Sequence, residues 1–96
     1  MITTYRDIAD DENEAALTLK ATITLMSATV FPRQPVIDFL TATPTPVSVV
    51  GARSFLWLTV DPYNNDTVNA LMWALRKQFP DGFDISGWSG AGRMSL

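Results

Sequence analysis

The C-terminal segment places a serine among glycines, as a nucleophile elbow or a phosphate-binding loop does. Residues 87–91 have the sequence GWSGA, close to the G-x-S-x-G pattern that exposes a catalytic serine. Such a serine needs a base to take its proton, and the sequence contains no histidine. A phosphate loop needs a following helix to supply N–H donors, and only four residues follow Gly92. We therefore expect Gly87, Gly90 and Gly92 to permit positive φ in a tight turn or bulge.

Carboxylates flank the segment that the sequence predicts as the longest helix, and paired carboxylates can perform acid–base chemistry or bind a hard cation. They are Asp61, Asp66, Asp81 and Asp84. Their spacing fits no calcium loop, because Val68 and Met72 stand where oxygen ligands are required. We expect capping and turn roles for them, and we predict no catalytic, cofactor or metal site. An enzyme that relies on carboxylates alone is the third hypothesis, after the two given below.

Tryptophans mark a candidate binding surface. In the longest helix, Trp73 points about 140° away from the start of the apolar stripe, at ~100° per residue. That stripe consists of Val68, Leu71, Met72, Leu75 and Phe79. Because Trp and Arg are enriched in binding hot spots, we predict a protein-binding surface formed by Trp73, Asn69, Arg76, Lys77 and Trp88. The alternative is that Trp73 and Trp88 pack within their own chain, whereas Trp57 is expected in the core.

The composition predicts one globular domain over residues 1–96, since 47% of the residues are hydrophobic and 18% are charged. There is no cysteine to form a disulfide or a thiolate ligand. A net charge of −3, with seven scattered Lys and Arg residues, disfavours direct nucleic-acid binding, which needs a concentrated cationic surface. No stretch is long and apolar enough for a membrane span or a signal peptide, so we expect a cytoplasmic protein with no membrane partner.

The clearest periodic signal is residues 17–25, LTLKATITL, in which every odd position is apolar and every even one is Thr or Lys. We predict a strand with one buried face here, although the helix formers of the segment DENEAALTLKA favour a helix as the alternative. Residues 1–14 fit a loose arm, a short helix or an extra strand in a hairpin. Five acidic residues between Asp7 and Glu14 are expected to form a solvated turn or helix start.

Proline and glycine residues mark the boundaries of the remaining predicted elements. We predict a helix over residues 35–42, strands over 47–50 and 54–60, a helix capped by Asn65 or Asp66, and two short terminal strands. The second of these strands is apolar on both faces, which indicates a central strand covered on both sides or one that meets a partner.

The element order is strand, helix, strand, strand, helix, strand. It predicts an α+β domain in which two helices cover one face of an antiparallel sheet. This order is similar to that of the ferredoxin-like βαββαβ sandwich.

By elimination, the leading hypothesis is a small cytoplasmic protein that uses no cofactor and acts by binding another protein, whose identity the sequence does not give. Accessory proteins of phages and mobile elements, including inhibitors of host defence enzymes, are commonly single domains of this size without cofactor or catalytic motifs. The alternative is a self-assembling structural subunit of a virion or scaffold. A homodimer would likewise add buried area to a thin core.

Overall fold

The sheet of this protein is built from strands that lie far apart in the sequence. We describe a computed structural model that covers residues 1–8, 14–28, 31–89 and 92–96. Its elements in chain order are β1 (Ile2–Asp7), α1 (Glu14–Lys20), β2 (Ile23–Met26), α2 (Arg33–Ala42), β3 (Val47–Gly51), β4 (Phe55–Val60), α3 (Asn65–Gln78), β5 (Asp84–Ser89) and β6 (Gly92–Ser95). The strand order in the sheet is β1-β3-β4-β2-β5-β6.

The sheet is mixed, so the prediction of a purely antiparallel sheet is wrong. β1 pairs with β3 in parallel, and the other neighbouring pairs are antiparallel. β1 is the extra strand that residues 1–14 allow, but it forms no hairpin with β2. A parallel pair needs a long crossover connection, and α1, β2 and α2 together supply it.

Residues 17–25 do not form one strand, which corrects the prediction for this segment. Residues 17–20 belong to α1, and the strand begins only at Ile23. Leu19 has 68% of its surface exposed, so the apolar alternation does not mark one buried face along the whole segment. The helix formers at the start of the segment determine the backbone there, as the alternative interpretation expects. Of the acidic cluster, Asp10, Asp11 and Glu12 lie outside the described residues.

The main core lies between the sheet and the pair α2 and α3, as the prediction of two helices on one face requires. Ile23 and Leu25 of β2 contribute to it, with Val36 and Leu40 of α2. The buried face of α3 consists of Val68, Leu71, Met72 and Leu75. Asn64, rather than Asn65 or Asp66, caps this helix, because its side-chain oxygen accepts the Thr67 N–H at 3.0 Å.

The helix α1 covers part of the sheet face opposite α2 and α3. The prediction of two helices does not include it. Trp57 of β4 is only 2% exposed and stacks on Phe55, with ring centroids 4.8 Å apart. Its indole N–H donates to the Thr18 hydroxyl of α1 at 3.0 Å. Leu17 and Ala21 pack in the same cluster. β4 is therefore a central strand covered on both faces by its own chain, and the core position predicted for Trp57 is confirmed.

Polar contacts hold β1 on the edge of the sheet. Arg33 of α2 donates to Asp7 Oδ1 at 2.7 Å and to the Tyr5 hydroxyl oxygen at 3.1 Å. At the other end of the strand, the Met1 ammonium group donates to the Leu40 carbonyl oxygen at 2.7 Å. An ion pair as exposed as that of Arg33 and Asp7 contributes ~1 kcal/mol at most. These contacts orient β1 more than they stabilise the domain.

Candidate functional site

Trp73 lies on the outer surface of α3. This residue is 58% exposed, whereas the neighbouring Met72 is fully buried in the core. Phe79, the last residue of the predicted apolar stripe, is partly buried just after the helix ends. Since the stripe turns toward the sheet, helix geometry leaves the indole ring in water. Trp73 does not pack under another described segment of its own chain.

Asn69 and Lys77 lie one turn before and one turn after Trp73, on the same side of α3. Lys77 is exposed to solvent. Asn69 is half-buried, and its side-chain oxygen is itself buried and has no hydrogen-bond partner among the described residues. The structure therefore brings three of the predicted residues together, and we call Asn69, Trp73 and Lys77 the α3 surface.

Arg76 ties the end of α3 to the last strand, a role that the sequence did not predict. Its guanidinium group donates to the carbonyl oxygens of Pro80 at 3.1 Å, Phe83 at 3.1 Å and Leu96 at 2.9 Å. These acceptors belong to the loop after the helix and to the residue after β6. Because they are main-chain carbonyl groups, no side-chain pattern in the sequence marks them.

Trp88 lies on the opposite side of the sheet from Trp73. Its neighbour Gly87 faces α3, since a Cβ atom at Gly87 would come within 2.8 Å of Met72 Sδ. Side chains alternate along a strand, so Trp88 points away from α3. Arg93, its cross-strand partner on β6, lies over the indole ring at 5.8 Å. The two tryptophans are both exposed, but they do not form one surface.

The three glycines of the C-terminal segment do not share one role. Gly92 has a φ of 138°, as expected for a glycine in a turn. Gly87 instead lies within β5 and has no positive φ, which corrects the prediction for this position. A side chain there would meet Met72 Sδ and, at 2.9 Å, the backbone oxygen of Thr22. Gly90 lies outside the described residues.

Replacing Gly87 by Ala should lower the free energy of unfolding by ~1–3 kcal/mol, because overpacking forces the backbone at Thr22, just before β2, or the Met72 side chain of α3 to shift. Chemical denaturation followed by circular dichroism measures this change. Ser95→Ala, an exposed position on the neighbouring strand β6, is the matched control and should change it by less than ~0.5 kcal/mol. Equal stabilities for the two variants would contradict the close approach of α3 to β5.

Asp61 and Asp84, at opposite ends of α3, do not converge. Asp84 pairs with Met26 at the end of β2, whereas Asp61 follows β4, which runs past the start of β2. Asp84 is level with Phe55 of β4 through Met26, and Asp61 lies six residues beyond Phe55, so the two backbone positions are roughly 20 Å apart along the strands, at about 3.3 Å per residue. Within the described residues, no group of three or more potential metal ligands lies close enough to hold an ion.

Comparisons with protein-family models, with curated proteins and with solved structures find no match for this chain. In the part of the chain that the structure describes, every helix is too short or too polar to cross a membrane. The α3 surface, with Trp73 at its centre, is the candidate functional site.

Proposed function

We propose that this protein acts by binding another protein through the α3 surface, with Trp73 as the anchor. The supporting observation is the 58% exposure of a tryptophan on a helix whose opposite side is fully buried. Burial of apolar surface is favourable by ~25 cal/mol per Å², so a partner pocket that encloses the indole ring gains affinity. Trp is also among the residues most enriched in binding hot spots.

The surroundings of Trp73 suit such a contact. Ala70 and Ala74 are small, so the indole ring stands above the helix surface and a partner can approach closely. Asp66 lies toward the start of the helix and Lys77 toward its end, both exposed. An apolar centre with charges at the periphery is the usual arrangement of a protein interface, in which the charges mainly set orientation and association rate.

This mode of action requires a surface and no chemistry, as in an inhibitor that occupies a site on its target. We place the protein, as a proposal, with cytoplasmic accessory proteins of phages or mobile elements that inhibit host defence enzymes. For the fold, we propose that β2-α2-β3-β4-α3-β5 corresponds to a ferredoxin-like βαββαβ unit. The order β3-β4-β2-β5 of the inner strands supports this, and β1, α1 and β6 are then additions to the unit.

The test is a Trp73→Ala variant, assayed against the partner that a pull-down and mass spectrometry identify in the native host. We expect the affinity to fall at least thirtyfold, equivalent to ~2 kcal/mol, because truncating an anchor removes most of its buried contact. The melting temperature should change little, since the side chain is exposed. Calorimetry measures both quantities.

Leu19→Ala is the matched control, because Leu19 is also a large exposed apolar residue but lies on α1, on the opposite sheet face. It should leave the affinity unchanged. Unchanged affinity in a folded Trp73→Ala variant would contradict the proposal. A large fall in the melting temperature would show that the ring packs within its own chain.

The alternative function, a self-assembling subunit or homodimer, is supported by a different observation. β1 lies at an edge of the sheet, and the side chains of residues 3–7 are exposed. An edge strand can pair with a strand from a second copy. Light scattering over a range of protein concentrations tests this, and a monomer mass at every concentration would contradict it.

A further inference from the structure

We propose that the protein carries a second site, a groove lined by a row of hydroxyl groups, that binds a neutral polyhydroxylated ligand such as a saccharide. The groove has a volume of about 570 Å³ and lies on the sheet face opposite α2 and α3. Three of its lining residues, Thr4, Ser48 and Thr59, form what we call the hydroxyl row. Small-molecule sites commonly have volumes of ~300–1,000 Å³, so the groove can accommodate a sugar ring.

The register of three neighbouring strands aligns the hydroxyl row. Thr4 of β1 is level with Ser48 of β3, which is level with Thr59 of β4. Val47 and Val49 point into the main core, so Ser48 between them points to the opposite face. Because neighbouring strands lie ~4.8 Å apart, the three hydroxyl groups span about 10 Å.

The groove is open because α1 covers only the adjacent part of this sheet face. Val50 and Trp57, two residues along β3 and β4 from the hydroxyl row, pack in the cluster that α1 covers. The segment after β4 forms the opposite wall. There, the exposed Tyr63 directs its hydroxyl group to the Trp88 carbonyl oxygen at 3.3 Å, which orients the ring beside the groove.

The hydroxyl row is available to bind a ligand. Within the described part of the chain, no side-chain hydrogen bond involves the three hydroxyl groups of the row. Thr22, at the base of the groove, accepts the Val60 N–H and retains its own O–H donor. Hydroxyl groups both donate and accept, whereas the Asp61 carboxylate only accepts. A ligand with several hydroxyl groups satisfies all of them.

The charge of the groove disfavours anionic ligands. Asp61 contributes a negative charge, and no Lys or Arg is among the described residues that line the groove. A phosphate or carboxylate group would therefore meet a like charge without a counter-ion, which disfavours it. The Tyr63 ring adds an apolar surface for the C–H groups of a sugar ring. These features together favour a neutral saccharide over a nucleotide or a sugar phosphate.

The experiment is a titration of the isotope-labelled protein with D-glucose, N-acetylglucosamine and maltose, followed by NMR. We expect saturable shifts at the backbone amides of Ser48, Thr59 and Tyr63 with at least one of these sugars. Glucose 6-phosphate, as the anionic probe, should bind at least tenfold more weakly than the best neutral sugar. If no neutral sugar gives saturable shifts up to its solubility limit, or if the phosphate binds better, the proposal is wrong.

Thr59→Val keeps the branched shape of the side chain and removes its hydroxyl group. It should weaken sugar binding by about threefold to tenfold, the value of one hydrogen bond. Thr41→Val, on α2 and outside the groove, is the matched control and should leave binding unchanged. Equal binding by the wild type and the Thr59→Val variant would overturn the assignment. Trp73→Ala should not alter sugar binding, which separates this site from the α3 surface.

Discussion

Replacement of Ile23 by Asp is expected to unfold the domain at neutral pH. Ile23 is 0% exposed and lies between Leu58 of β4 and Gly87 of β5, in the middle of the sheet. An unpaired buried carboxylate costs several kcal/mol, and a domain of this kind has a total stability of only ~5–15 kcal/mol. Circular dichroism and thermal melting should show no cooperative transition.

Thr59→Asp is the matched control for this substitution, because Thr59 lies on the neighbouring strand β4 but is exposed. Its charge stays hydrated, so the free energy of unfolding should change by about 1 kcal/mol or less. Thr22 cannot serve as the control, although the alternating pattern places it on the polar face, because it is only 7% exposed. A cooperative melt of Ile23→Asp near the wild-type temperature would contradict the core position of β2.

The alternation in residues 17–25 predicts which apolar residues of β2 enter the core, but it predicts neither the backbone before Ile23 nor the burial of Thr24, which is only 5% exposed. Ile23 and Leu25 are fully buried, as the period of two requires. Leu17 and Ala21 also face one cluster, but they do so at the i, i+4 spacing of a helix turn. Residues four apart, such as Leu17 and Ala21, share one face both in a helix and in a strand, so over so few residues the pattern alone cannot locate the start of the strand.

The C-terminal ends of the two longer helices depend on local chemistry and were predictable, whereas α2 begins at Arg33, two residues before the predicted start at Pro35. α2 ends at Ala42, two residues before Pro44, and α3 ends at Gln78, two residues before Pro80. Proline acts within one helical turn, so its effect can be derived from the sequence. The parallel pairing of β1 with β3 depends instead on contacts across more than 40 residues. No local pattern in ITTYRDI distinguishes that partner from a hairpin partner.

For the candidate sites too, the sequence predicts what depends on one segment and misses what depends on the pairing of distant segments. Helix periodicity alone places Trp73 on the outer surface of α3, where the structure has it. The surroundings of Trp88 depend on which face of β5 packs against α3. The close approach of Gly87 to Met72 determines that face, and the sequence of β5 alone does not reveal it. The groove depends on the register of β1, β3 and β4, so no reasoning from single segments could have brought Thr4, Ser48 and Thr59 into one row.

Trp57→Ala is expected to lower the free energy of unfolding by ~3–5 kcal/mol, the usual effect of removing a buried Trp side chain. The ring supports α1 from below, and this seven-residue helix contains no fully buried side chain of its own. Loss of the ring should therefore loosen α1 as well as weaken the sheet. Denaturant melts measure the stability, and amide exchange of residues 14–20 measures the release of the helix.

Trp57→Phe separates ring burial from the hydrogen bond to Thr18. Phenylalanine can keep the stack on Phe55, with its present 4.8 Å centroid separation, but it cannot donate to the Thr18 hydroxyl. Because one hydrogen bond contributes ~1 kcal/mol net, this variant should be far more stable than Trp57→Ala, and α1 should remain protected. Equal losses in the two variants would mean that the hydrogen bond, rather than the ring, fixes α1. A loss below ~1 kcal/mol in Trp57→Ala would mean that α1 does not cover this face of the sheet at all.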